Sequence, residues 1–175
     1  MRNSHHLLPL VALSTLAVIF ISTAKEANAL PGQSVNKFLQ WAQSRPLPTL
    51  QYSSEVSSYS GNKGNLHFYA GTTGKNGTVT KEGITVSNDK SIKFSRNNTK
   101  AVKLIESIYG SQIANDFKNS QFLEKVGRDS FLRGKRYAYS VAQVQDGTNF
   151  EIFLLKDLQK AISRAKYCQT NECDI

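Results

Sequence analysis

The chain has 175 residues, and 22 lysines and arginines against 13 aspartates and glutamates give it a formal net charge of +9. A domain of this size buries enough surface to be stable without disulfide staples, so its two cysteines need not hold the fold together. The charge favours anionic partners, such as acidic glycans, membrane surfaces or nucleic acid, and does not choose among them.

Residues 1–29 are predicted to be a cleavable secretory signal peptide. Arg2 gives a positively charged start, residues 7–23 are mostly apolar, and a small-x-small cleavage site ends at Ala29. An uncleaved membrane anchor is the alternative, because the apolar stretch approaches the roughly 17 residues that a spanning helix needs. Cleavage would leave residues 30–175, which we expect to be a single domain that is secreted, periplasmic or in the cell envelope.

The first half of this domain predicts one helix followed by a meander of strands. Ser34 caps an amphipathic pattern that Pro46 ends. Short turns join the strands that follow, and such turns favour antiparallel pairing. The predicted strands cover residues 49–60, 65–70, 78–87 and 91–95, and the first is expected at a sheet edge.

The spacing of apolar residues then changes to that of helices. Residues 99–110 repeat apolar side chains at i, i+3, i+4 and i+7 and end at a glycine, and residues 111–117 predict a second, shorter helix. Residues 121–127 are consistent with a return to strand. The chain closes with a hairpin at 133–155 and a helix at 157–167.

The hairpin at residues 133–155 is the clearest element, with its turn predicted at Asp146-Gly147. Its first strand alternates bulky and small side chains, which predicts a central strand with aromatic packing on one face and a close helix on the other. The bulky residues are Tyr137, Tyr139 and Val141, and the small ones are Ala138, Ser140 and Ala142.

The whole pattern predicts the α+β class. We expect one antiparallel meander sheet of about five to seven strands, with about four helices packed mainly on one face.

Cys168 and Cys173 are expected to form a disulfide, since export exposes the chain to oxidising conditions. Positions i and i+5 of a continuing helix lie roughly 8 to 9 Å apart, too far for a bridge, so the last helix must end near Cys168 if the pair forms. A metal site is the other interpretation, but two thiols without a nearby histidine fall short of the usual four ligands.

A run of basic residues is the strongest candidate for a binding site. Arginine and lysine beside aromatic residues suit the recognition of phosphates, sulfates or carboxylates. The alternative is an ordinary solvated surface. The run consists of Lys125, Arg128, Arg133, Lys135 and Arg136, and a second basic cluster consists of Lys90, Lys93, Arg96, Lys100 and Lys103.

Catalytic signatures are sparse. The sequence contains no dinucleotide fingerprint, Walker loop, zinc-protease motif, calcium loop or nucleophile elbow. His67 is the single histidine after residue 29, and alternation places it opposite Phe68, on the solvent side of its strand. Glu151 faces away from its apolar neighbours and has the best claim among the acids to a pocket, although an ordinary solvent-facing strand position is favoured over it. We predict no cofactor and no metal site.

Export and charge together lead to one main hypothesis and two alternatives. The main hypothesis is a non-enzymatic binding module that engages an anionic glycan, a membrane surface or another acidic partner through residues 125–136; nucleic acid fits an exported protein less well. The first alternative is a small hydrolase or an enzyme inhibitor that uses a cleft near His67 or Glu151. The second is a structural subunit of a surface assembly, joined through the edge strand at 49–60.

Overall fold

The computed structural model describes residues 30–171 and Cys173. In that part of the chain eight strands form one sheet, and four α-helices flank it. The helices are α1 (Val35–Gln43), α2 (Thr99–Tyr109), α3 (Ser111–Lys118) and α4 (Leu158–Thr170), with a 3-10 turn at Leu155–Asp157 before α4. The strands are β1 (Gln51–Ser53), β2 (Ser58–Lys63), β3 (Leu66–Thr72), β4 (Val79–Ser87), β5 (Gln121–Val126), β6 (Asp129–Arg133), β7 (Tyr137–Val144) and β8 (Gly147–Leu154).

The sheet is two four-stranded meanders joined at their last strands. The strand order is β1-β2-β3-β4-β8-β7-β6-β5, and every neighbouring pair is antiparallel. The predicted α+β class and antiparallel meander are confirmed. There are eight strands rather than five to seven, because residues 49–60 turn back on themselves to give β1 and the start of β2, and because β6 was not anticipated.

The strand predicted at 91–95 is wrong. Both edges of β4 are already occupied, by β3 and β8, so the segment that follows β4 finds no free strand to pair with. It crosses the sheet instead, and its apolar positions act as packing anchors. Phe94 N–H donates to Thr148 Oγ1 at 3.3 Å, and the Phe94 ring packs against Phe150 with a centroid distance of 5.3 Å.

The two faces of the sheet pack against different helices. On the first face, α1, α2 and α3 bury a large aromatic and aliphatic core that includes Phe38, Ile105, Phe117 and Phe150. On the second face, α4 covers a smaller cluster of Val126, Phe131, Ala138, Phe153, Leu158 and Ile162. Three of the four helices therefore share one face, as predicted.

The alternation in β7 predicted this arrangement correctly. Tyr139 is fully buried in the first core, whereas Ala138 belongs to the second cluster, beneath α4. The turn of the hairpin lies one residue earlier than predicted. Val144 pairs with Gly147, so Gln145 and Asp146 form the turn and Gly147 is already in β8.

The end of the chain closes on itself through the predicted disulfide. Cys168 and Cys173 are bonded, with 5.3 Å between their Cα atoms. The helix α4 ends at Thr170, and Asn171 is extended with φ −131° and ψ 150°, so the chain leaves the helix early enough to return to Cys168. The predictions for residues 1–29 lie outside the described residues. Within the described part, none of the helices has the length and apolar character needed to cross a bilayer.

Candidate functional site

The five basic residues predicted to form one site lie towards the two ends of a single strand. Lys125 is on β5 and Arg128 is in the turn before β6, whereas Arg133 ends β6 and Lys135 and Arg136 follow it. All five side chains are exposed. At about 3.3 Å per residue, roughly 16 Å of strand separates Arg128 from Arg133. The structure therefore divides the predicted site into two groups.

We call Arg133, Lys135 and Arg136 the basic turn. A carboxylate on α3 fixes its backbone. Asp116 Oδ1 accepts a hydrogen bond from Lys135 N–H at 2.8 Å, and Asp116 Oδ2 accepts one from the Tyr139 hydroxyl at 2.7 Å. Because Tyr139 is fully buried, the turn is tied through this carboxylate to the first core. The sequence offered no signal for this link, since Asp116 and Lys135 are 19 positions apart.

Gly134 makes the approach of the carboxylate possible. A Cβ atom at this position would lie 2.2 Å from Asp116 Oδ2, well inside van der Waals contact. Gly134 N–H also donates to the Tyr137 carbonyl at 2.9 Å, which closes the turn. The backbone of the basic turn is therefore fixed before any ligand arrives, and a fixed backbone lowers the entropy cost of binding.

The charges of the basic turn have no ionic partner among the described residues. Two salt bridges occur in that part of the chain, each with a nitrogen to oxygen distance of 2.7 Å: Lys81–Glu151 and Lys166–Glu124. Asp116 binds the backbone of the turn rather than its cationic groups. Arg136 Nη1 donates to a neutral acceptor, Gln112 Oε1, at 3.3 Å. The three cations are therefore available to an anion from solution.

Most of the second basic cluster lies on exposed positions of the β4–α2 connection and of α2 itself. Arg96 differs, because it is half-buried and its Nη1 donates to the Ser120 carbonyl at 2.5 Å. Ser120 precedes Gln121, which pairs with Arg133. Arg96 therefore lies near the same end of β5 as the basic turn, but on the first face of the sheet, where it borders a cavity.

The two residues of the predicted hydrolase cleft lie on the second face. The hydrogen-bond partner of His67 Nδ1 is an amide oxygen, Asn62 Oδ1, at 2.7 Å. Its ring stacks beside Tyr69, with 5.9 Å between centroids. Glu151 lies on the far side of Tyr69 from His67. It accepts hydrogen bonds from Tyr69 Oη at 2.5 Å and from Lys81 Nζ at 2.7 Å. No carboxylate touches the histidine among the described residues, so the base and orienting acid of a catalytic pair are not assembled.

Tyr69 lies flat on the second face of the sheet and connects His67 to Glu151. Its ring lies over Gly83 of β4, where a Cβ atom would meet Tyr69 Cζ at 2.1 Å, and this lets the hydroxyl reach across β4 to Glu151 on β8. Burial, together with the charge of Glu151, raises the pKa of Tyr69 well above its usual value. The phenol therefore stays protonated at neutral pH and acts as a donor, not as a base.

Glu82 is the chemically unusual residue that the sequence interpretation missed. It is fully buried in the first core, and neither carboxyl oxygen has a hydrogen-bond partner among the described residues. Burial raises its pKa well above the usual value. The signal was present in the sequence, because Glu82 alternates in phase with Ile84 and Val86, which are also buried. No solvent reaches this carboxyl, so it is not placed to act on a substrate.

A cavity of about 250 Å³ opens at the β5 end of the sheet, on the first face. The segment that crosses from β4 to α2 forms one wall, α3 forms another, and β5, β6 and β7 form the floor. Its lining includes Phe94, Arg96, Phe117, Phe122, Ser130 and Leu132.

Among the described residues, no group of three or more histidines, cysteines, aspartates and glutamates is placed to hold a metal ion. Comparisons of this chain with protein-family models, with curated proteins and with solved structures found no significant match.

Proposed function

We propose that the protein is an exported, non-enzymatic binding module whose basic turn engages an anionic glycan. One observation carries the proposal. Three exposed cations, Arg133, Lys135 and Arg136, stand on a backbone fixed by Asp116, without an acidic partner among the described residues. Guanidinium groups pair with carboxylates and sulfates through two parallel hydrogen bonds, which gives such a turn geometric selectivity as well as charge.

The surroundings of the basic turn favour a glycan over a lipid bilayer. Proteins that bind at a membrane surface insert apolar side chains beside their cations. The large apolar residues exposed in the described part of the chain are Val56, Phe122, Val144 and Tyr167. Phe122 is the one close to the basic turn, and it borders the cavity on the first face rather than extending the turn.

Export supports a cell-surface glycan as the partner. The signal-like pattern of residues 1–29 and the disulfide between Cys168 and Cys173 both agree with an oxidising compartment outside the cytosol. Mass spectrometry of protein recovered from its native source tests this part of the proposal. A mature chain that begins at Leu30 is the expected result, and a chain that keeps residues 1–29 contradicts cleavage.

Binding of the purified protein to alginate, an acidic polysaccharide, tests the site. The triple variant Arg133→Ser, Lys135→Ser, Arg136→Ser should bind about tenfold more weakly at low salt, because it loses three charge-assisted contacts. The matched control is Lys90→Ser, Lys93→Ser, Lys103→Ser, which removes the same charge from exposed positions away from the turn. It should bind within about threefold of the unmodified protein.

The other partner classes are outcomes of the same experiment. Vesicles containing phosphatidylglycerol and duplex DNA are titrated in parallel over a salt series. Tighter binding to either at physiological salt contradicts the glycan assignment. Equal losses in the two triple variants contradict the assignment of the basic turn, because net charge alone would then account for the binding.

A further inference from the structure

The cavity beside Arg96 combines apolar walls with one cation. Phe94 and Phe117 are almost fully buried, at 4% and 0% exposure, and Leu132 at 4% contributes to the floor. Phe122 lines the same cavity from the edge strand and is 48% exposed. A large aromatic side chain left open to water beside a cavity is apolar surface that a ligand would cover with a gain in free energy.

Arg96 supplies the polar end of this cavity. Its guanidinium has five N–H donors. Among the described residues it makes one hydrogen bond, from Nη1 to the Ser120 carbonyl. That bond holds the side chain in place, while the remaining donors have no protein acceptor in the described part of the chain. Ser130 belongs to the same lining, and its hydroxyl makes no hydrogen bond to the described residues. The cavity therefore offers a fixed cation, a hydroxyl and an aromatic wall.

We propose that this cavity binds a small amphiphilic carboxylate, with the acid group on Arg96 and the hydrocarbon body against Phe122 and the accessible part of Phe94. The size agrees with this class, since a cavity of about 150 Å³ accommodates benzene and this one measures about 250 Å³. A single substituted ring or a chain of about eight carbons is the matching body. The site goes beyond the proposed glycan function, because none of these residues belongs to the basic turn.

Titration calorimetry with octanoate tests the proposal, with octanol as the neutral probe of the same length. The unmodified protein should bind octanoate more tightly than octanol. Arg96→Gln should weaken octanoate binding about ten- to hundredfold, the usual loss for a hydrogen bond to a charged group, and should remove the preference over octanol. Lys93→Gln, three positions earlier and exposed, is the matched control and should leave both affinities unchanged.

A second variant tests the cavity itself. Ser130→Leu fills space on the floor without touching the charge of Arg96, and should abolish binding of both probes. If either Arg96→Gln or Ser130→Leu unfolds, an NMR titration of the unmodified protein with octanoate takes the place of that variant. Octanoate should then shift the amide signals of Arg96, Phe122 and Ser130. Equal affinity for octanol and octanoate, or shifts centred on the basic turn, overturns the proposal.

The two proposals fail separately. The triple variant of the basic turn keeps the whole cavity, so it should bind octanoate as the unmodified protein does. Vesicles containing a long-chain free fatty acid, which keeps its carboxylate at the bilayer surface, are titrated beside free octanoate to distinguish a membrane source of the carboxylate from a soluble one. Binding of free octanoate supports a soluble ligand, and binding of the lipid form alone indicates that the source is a bilayer.

Discussion

At the scale of single residues, Glu82 is the largest departure from ordinary protein chemistry. Its carboxyl group lies between Ala70 and Ile152 in the sheet register, on the face that packs α1 to α3. Tyr109, whose hydroxyl is also buried without a partner among the described residues, belongs to the same core. Burying a polar group without a hydrogen bond costs about 1–3 kcal/mol in protein mutational data, so this residue opposes folding.

Replacing Glu82 with methionine should raise the free energy of unfolding at pH 7 by about 1–3 kcal/mol. Because the pKa of Glu82 is raised in the folded state, the unfolded chain releases a proton above pH about 4.5 that the folded protein retains. The contribution of Glu82 to stability is therefore most favourable below that pH, and it is lost as pH rises towards the folded pKa. Urea unfolding between pH 4 and 8 measures both effects.

Glu82→Gln is the matched control, since it removes the titration and keeps a buried polar group of the same size. Both variants should lose the part of the pH dependence that Glu82 causes, and only Glu82→Met should gain stability at pH 4. Asp129 contributes a slope of the same sign to both variants, because burial and the charge of Glu151 raise its pKa. An unchanged slope in both variants contradicts the role given to Glu82.

At the scale of elements, the strands and helices separate side chains that are close together in the sequence. The β5–β6 and β6–β7 turns place one basic run at the two ends of β6, while α3 brings Asp116 to one of these ends. The helix α4 crosses to the second face and packs on Ala138 and Phe153 through Leu158 and Ile162. Its last turn, which carries Cys168, lies beyond these buried contacts.

The double variant Cys168→Ser, Cys173→Ser should remain folded and lose at most about 2 kcal/mol of stability, the chain-entropy value for so short a loop. In a chain of this size that corresponds to a melting temperature lower by about 4–8 °C. Thermal unfolding with and without reductant measures the difference. Reductant should lower the melting temperature of the unmodified protein to that of the variant and leave the variant unchanged. A variant that fails to fold would show that the bridge holds more than the end of α4.

At the scale of the whole molecule, the pairing of β4 with β8 unites the two meanders. Thr85 Oγ1 donates to Asn149 Oδ1 across this seam, 64 positions away in the chain. The first core spans both meanders. The ring of Trp41 in α1 stacks on Tyr109 of α2, with 5.8 Å between centroids, and Tyr109 packs on Phe150 of β8, with 6.2 Å between centroids. Neither half buries its apolar face without the other, so the sheet should form as one cooperative unit.

Equilibrium unfolding in urea should therefore show one transition. Trp41 is the single tryptophan, so its fluorescence reports on the α1 side of the first core, while far-ultraviolet circular dichroism reports on the whole sheet. The midpoints from the two signals should coincide within error. If the fluorescence changes at lower urea than the dichroism, α1 and the first meander unfold independently and cooperativity across the seam is refuted.

The sequence alone determined the class of fold, most of the elements and the two-sided packing of β7, because these depend on the spacing of side chains along a short stretch of chain. It also identified the cysteine pair and the exposed basic residues. The tertiary structure decided which of these residues meet. Strand register and helix placement produce the hydrogen bond between Lys135 and Asp116 and the cavity beside Arg96, and they leave His67 without a carboxylate partner among the described residues. Such contacts join residues far apart in the chain, and no local pattern encodes them.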